Sequence, residues 1–331
     1  MIIIFRRINS RKLQEEKSMS IPYNDEAYEA VIKIILNDIY YVPGLSLDTK
    51  ISRLRTYTEI ILRRLLGWPM GKELTLGDKN ITAELKRKGY TEDIFRHALR
   101  TINRRGSNRT HTQITTPATD QEYQNVEQSL LNLYGYLFYV FFRKYPFGSN
   151  PDIMSKFSLL PPVIRYIALN ELYKKDPLNI NVIDKLSLAI MKAFSLERAL
   201  AWLEENREAL SKISSVTDAD RKALIGLFGL EQGNQIADMG GDMYSQCRTR
   251  VIQVAELRNN GGISYDSFET ALKYYKENGI VEGDTSDVKE FNDLMAFVYI
   301  GRKEAEEQIA SLDESQYIIN SITWVLPPEQ A

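Results

Sequence analysis

An all-α protein is the fold class this sequence predicts, on three observations. Apolar residues recur at three- and four-residue spacing in nearly every segment. Asn24, Thr91, Ser195 and Thr217 each stand where a helix N-cap belongs, just ahead of such a segment. Convincing alternating strands are absent, apart from short candidates such as SQYIINSITWVL near the end of the chain. At 331 residues the chain is too long for one small core, so two domains are expected. They are a helical bundle over 23–148 and a second helical domain over 149–331, after a flexible leader over 1–22.

In the leader the apolar run at 2–5 is far too short for a signal-peptide core, and basic residues follow it rather than precede it. Met19, just before the first strong helix, is an alternative start. Asn24 caps AYEAVIKIILNDIYYV, which stops at Pro43 and Gly44. Asp48 or Thr49 opens KISRLRTYTEIILRRLLG, where Ile51, Leu54, Thr58, Ile61, Leu62 and Leu65 form one stripe and Gly67 with Pro69 ends it. A short helix from Asn80 to Gly89 follows. Thr91 then caps EDIFRHALRTINRR, which Gly106 is expected to terminate in the left-handed conformation. TPATDQ is a linker, a long helix runs from about Asp120 to Lys144, and YPFGSNP marks the domain break. Beyond it come further helical segments, among them VIRYIALNELYKKD, VIDKLSLAIMKAF and LERALAWLEENREAL, and near the end KEFNDLMAFVYIGRKEAEEQIASL. Stacked helix pairs are a natural way to bury their faces.

The composition is that of a globular protein, with 44% apolar and 26% charged residues. The longest apolar stretch, LLNLYGYLFYVFF at 130–142, is shorter than the roughly 20 residues a membrane-spanning helix needs, so a soluble protein is expected. One cysteine, Cys247, and two histidines exclude a disulfide framework and a histidine-cysteine metal cage within one chain, and they suit a reducing cytoplasm. No metal or cofactor is expected. GWPMGKE has the wrong spacing and context for a phosphate loop, and GLFGLEQGN and DMGGDM lack the strand that a dinucleotide fingerprint follows. His97 has apolar neighbours in a helix and reads as structural.

Net charge is −2, but it is unevenly spread. Between 50 and 111 there are fifteen Lys/Arg and six Asp/Glu, a local surplus of nine inside an otherwise acidic chain. A polyanion site has this signature. The other reading is that these arginines lie along helix faces and meet acidic partners on the other domain.

The segment RRGSNRTHTQ at 104–113 places His111 six residues after Arg105, at a basic helix end ahead of a long helix. With the helix order around it, this Arg-x5-His arrangement resembles the HEPN superfamily over about 24–144. The helix RTYTEIILRRLLG, with Arg55 and Glu59, resembles the second helix of one prokaryotic branch, so these two would be supporting residues. The residue after Arg105 is Gly106, where active members usually carry a polar group, so Asn108 would supply it. The resemblance implies a metal-independent endoribonuclease of a bacterial toxin or anti-phage system, working as a homodimer in which two Arg/His pairs face one cleft.

Its chemistry would use the nucleophile that RNA itself carries, the 2′-OH. His111 would move the proton, and Arg105 and Arg104 would stabilise the phosphoryl charge. Asn108 would orient the imidazole or a phosphate. Arg100, Arg109, Lys86, Arg87 and Lys88 would hold the RNA. The competing expectation is a catalytically inactive HEPN-like module for dimerisation, RNA binding or scaffolding, with the acidic second domain recruiting a protein partner or regulator. On that reading His111 is a loop histidine, and Arg104 and Arg105 favour the negative end of their helix.

Overall fold

A computed structural model describes residues 23–110, 116–260 and 265–305. Fifteen α-helices run through them, and the described residues contain no strand or sheet, only one isolated antiparallel bridge between Ser214 and Asp242. The all-α expectation holds. The leader, the segment 111–115 with His111, and the C-terminal strand candidate lie outside the described residues. The chain divides into two compact units, one up to Leu130 and one from Leu131.

The first unit is built on α1 (Asp25–Tyr40), α2 (Leu47–Leu66), α3 (Lys79–Arg87), α4 (Asp93–Thr110) and the start of α5 (Asp120–Lys144). Asn24 caps α1, its side chain accepting from the Glu26 amide at 3.0 Å. Helix α2 begins slightly before the expected Asp48 or Thr49, because Ser46 takes the cap and accepts from the Thr49 amide at 3.3 Å. It ends at Gly67, as read from the sequence, and this glycine is left-handed at φ 61°. The expected stripe is buried except for Leu65, and Tyr57, Ile60 and Leu66 widen it. Helix α3 starts after Asp78 rather than at Asn80. Two side chains that follow α3 satisfy the last carbonyls of α2: Lys88 Nζ donates to Leu66 at 2.7 Å and the Tyr90 hydroxyl to Leu65 at 3.1 Å. Helix α1 packs on α2, and α2 on α4. Ile35, Ile39, Leu54, Ile61, Phe95 and Ile102 fill the core.

Both ends of α4 depart from the sequence reading. It starts at Asp93, with Glu92 rather than Thr91 ahead of its first turn. Gly106 does not terminate α4, which continues to Thr110, and Gly106 is absent from the left-handed glycines. The reason is packing. A Cβ at Gly106 would stand 2.6 Å from Cδ and 2.8 Å from Cβ of Arg55, so this glycine lets α4 pass close over α2.

The second unit continues α5 and adds α6 (Pro151–Phe157), α7 (Pro162–Lys175), α8 (Ile180–Ala193), α9 (Leu196–Glu205), α10 (Arg207–Leu210), α11 (Asp218–Phe228), α12 (Leu230–Met239), α13 (Met243–Asn259), α14 (Phe268–Asn278) and α15 (Ser286–Tyr299). Helix α7 packs on α8, α8 on α9 and α13, and α11 on α12. An aromatic cluster of Phe138, Phe141, Phe142, Phe157 and Phe291 joins α5, α6 and α15, with ring centroids 5.0–6.3 Å apart. Helix α15 stops short of the long helical pattern read there, because Gly301 turns left-handed at φ 73°.

Candidate nucleic-acid interface

Helix α4 buries Phe95, Ala98, Ile102 and Gly106. Its opposite arc carries Asp93, Arg96, His97, Arg100 and Arg104, all exposed. At 100° per residue, positions 96, 97, 100 and 104 fall within about 100° of one another, a single outward stripe. Arg96 is held by Asp93 one turn before it. Arg100 and Arg104 have no ion pair or hydrogen bond among the described residues. They are one turn apart, so their Cβ atoms lie about 6 Å from each other, close enough for both guanidinium groups to meet neighbouring oxygens of one phosphate backbone.

His97 is corrected by this geometry. It is exposed rather than structural, because its apolar neighbours in sequence, Phe95 and Ala98, turn to the other side of the helix. The i, i+3, i+7 relation of His97, Arg100 and Arg104 was the signal for its place on the stripe.

Arg104 and Arg105 diverge. Arg105 leaves the stripe and forms an ion pair with Glu122 in the first turn of α5. Glu122 also closes a capping box: its carboxylate accepts from the Thr119 amide at 3.2 Å, and the Thr119 hydroxyl accepts from the Glu122 amide at 3.2 Å. Asp48, near the start of α2, accepts from the Ala118 amide at 3.1 Å. Both flanks of the 111–115 segment are thereby anchored, by Arg105 on one side and Ala118 on the other.

The predicted supporting residues lie beside this point. The methylenes of Arg55 pack on Gly106, its Nη1 stands 3.6 Å from Glu59, and its Nε is buried without a hydrogen bond. Glu59 accepts from the Leu76 amide at 3.2 Å, which fastens the loop after α2 to that helix. In the same loop Gly77, at φ 96°, leaves room for Asn103 of α4, whose Nδ2 would be 2.4 Å from a Cβ there. The structure thus brings Arg55 and Glu59 to the Arg105–Gly106 turn of α4.

The other candidates divide. Lys86 is exposed and has no partner among the described residues. Arg87 forms a two-pronged ion pair with Glu84 at 2.6 and 2.8 Å, and this bond holds the Glu84 carboxyl below its ordinary range. Lys88 is committed to the end of α2. The side chains of Asn108 and Arg109, and all of His111, lie outside the described residues.

Much of the local basic surplus is neutralised inside the first unit, by Arg53 with Asp38, Arg64 with Asp25 and Arg105 with Glu122. Over 23–130 sixteen Lys/Arg stand against fourteen Asp/Glu, so what distinguishes the α4 face is its uncompensated position rather than the unit's net charge. No family model, curated protein or solved structure matches this chain.

Proposed function

We propose that the first unit is an RNA-cleaving domain of HEPN type, acting without a metal and as a homodimer. The observation that carries this reading is the open stripe of His97, Arg100 and Arg104 on the helix that leads into the Arg105–His111 segment. The stripe would bind the phosphate backbone, and His111 would act at its end. In the reaction the 2′-OH loses its proton to a base and attacks phosphorus. The bond to the 5′-oxygen breaks as that oxygen is protonated, leaving a 2′,3′-cyclic phosphate and a 5′-hydroxyl. One chain offers one His111, so the base and the acid come from two copies facing one cleft.

Single-stranded RNA incubated with the protein in EDTA tests this. His111→Ala is expected to lower cleavage by about 10²- to 10⁴-fold, the usual worth of a positioned proton-transfer group. Equal inertness of wild type and His111→Ala across salt and RNA sequence would end the catalytic reading. Arg100→Gln with Arg104→Gln is expected to weaken RNA binding in every sequence. It should also reduce the slope of log affinity against log salt by about 1.4, or about 0.7 per lost single-strand phosphate contact.

A second reading, an RNA-binding or dimerisation scaffold without catalysis, is favoured by the Arg105–Glu122 ion pair. A guanidinium already matched to a carboxylate gives less charge to a phosphoryl group. On this reading His111→Ala keeps wild-type RNA affinity, and no scission occurs in either protein.

A further inference from the structure

The second unit is acidic, with twenty-one Lys/Arg against twenty-eight Asp/Glu over 131–331, yet it holds a knot of positive charge between three helices. Arg165 lies near the start of α7 in the apolar run VIRYIALN and is 7% exposed. Its Nε is buried without a hydrogen bond, and its guanidinium has no ion pair among the described residues. The polar groups around it are engaged elsewhere. Asp266 is taken by Arg258 at 3.0 and 3.2 Å. The Tyr265 hydroxyl donates to the Ser158 carbonyl, and that of Tyr299 to the Leu159 carbonyl at 2.8 Å.

Lys192, on α8, is the second partnerless cation here. It is only half exposed and makes no ion pair among the described residues. Burial and the positive charges of Arg165, Arg258, Lys185 and Arg250 push its ammonium down to about 8. Lys185 and Arg250 share one carboxylate, Asp184, at 3.4 and 2.8 Å. Asp184 and Asp266 therefore leave most of this positive charge unmatched. Helix α7 packs on α8 and α8 on α13, and the Tyr166 and Phe194 rings meet with centroids 4.9 Å apart, which brings the start of α7, with Arg165, to the end of α8, with Lys192.

A buried guanidinium without a counter-charge is costly, and a perturbed charge cluster of this kind is a binding-site signature. Two partnerless cations call for a dianion, because a carboxylate or chloride would leave one of them unmatched. A guanidinium fork and an ammonium at the same helix junction suit a phosphoryl group. We propose that Arg165 and Lys192 form a phosphate-binding site in the second unit, for inorganic phosphate or the phosphomonoester end of a small molecule. This site is independent of the RNA-directed face.

The test is thermal unfolding and calorimetric titration of the full chain with inorganic phosphate, with phenyl phosphate, and with potassium chloride at matched ionic strength. Phosphate is expected to raise the melting temperature in a saturable way that chloride does not reproduce. Lys192→Met and Arg165→Met are each expected to weaken phosphate about tenfold, the effect of one charge-assisted hydrogen bond. Without phosphate both variants should melt above wild type, since each removes an unmatched charge. Tighter phenyl phosphate would identify an ester ligand, and tighter inorganic phosphate the free anion. Equal shifts in phosphate and chloride, or variants with the wild-type response, would overturn the site. Lys192→Met decides the matter by itself if Arg165→Met does not fold, because Lys192 is half exposed.

Discussion

Gly106→Val is expected to destabilise the first unit by about 3 kcal/mol, the upper range for forcing extra methyl groups into a packed contact. Glycine inside a helix costs about 1 kcal/mol relative to alanine, so propensity alone would favour replacement. Packing opposes it. The nearest atoms to a Cβ at Gly106 are Cδ, Cβ and Cγ of Arg55, at 2.6, 2.8 and 3.1 Å. Cδ can swing away, but Cβ is fixed to the backbone of α2, so the helices themselves must part. Even Gly106→Ala is therefore expected to lose stability in urea denaturation. Arg55→Ala in the same chain should recover only part of that loss, because it trims the atoms beyond Cβ and leaves the 2.8 Å approach of Cβ in place. A Gly106→Ala protein as stable as wild type would show that the two helices do not cross this closely.

The same residue shows what could and could not be read from the chain. Glycine both ends helices and permits close approach, and local sequence does not distinguish the two. At Gly67 the first role holds, with a proline soon after it and a φ of 61°. At Gly106 the second holds, because the deciding neighbour, Arg55, is on another helix. The helices themselves were legible because their signals are local. Asn24, Ser195 and Thr217 each accept from an amide in the first turn, as their side chains predict. His97 was misread from its sequence neighbours when its angular position was the informative quantity. The capping box of Thr119 and Glu122 was readable in TDQE, but not the second use of Glu122, which depends on how α4 meets α5. Arg165 is a lone charge in an apolar run, a signal the sequence reading passed over. Its lack of a partner became visible only with Asp266 and the tyrosines placed.

Arg105→Met and Glu122→Gln together are expected to separate the two readings of the candidate site. Arg105 is about one-third exposed and Glu122 about one-fifth, so their ion pair belongs with surface pairs worth roughly 0–1 kcal/mol. Glu122→Gln keeps an acceptor for the Thr119 amide and removes only the charge facing Arg105. If Arg105 stabilises charge on a phosphoryl group, Arg105→Met should lower cleavage by about 10²- to 10³-fold, the range for losing one preorganised donor. Glu122→Gln should then raise cleavage or leave it unchanged, because the guanidinium is freed for the phosphate. If Arg105 serves only to hold α4 to α5, both variants lose about the same small stability, and RNA scission follows that loss alone. The double variant distinguishes these outcomes through its coupling energy. A structural pair couples in stability and not in rate, whereas a phosphoryl-stabilising arginine shows its effect in rate even where folding is intact. Arg105→Met with wild-type cleavage would remove Arg105 from the chemistry and leave Arg104, open and partnerless on the stripe, as the arginine to test next.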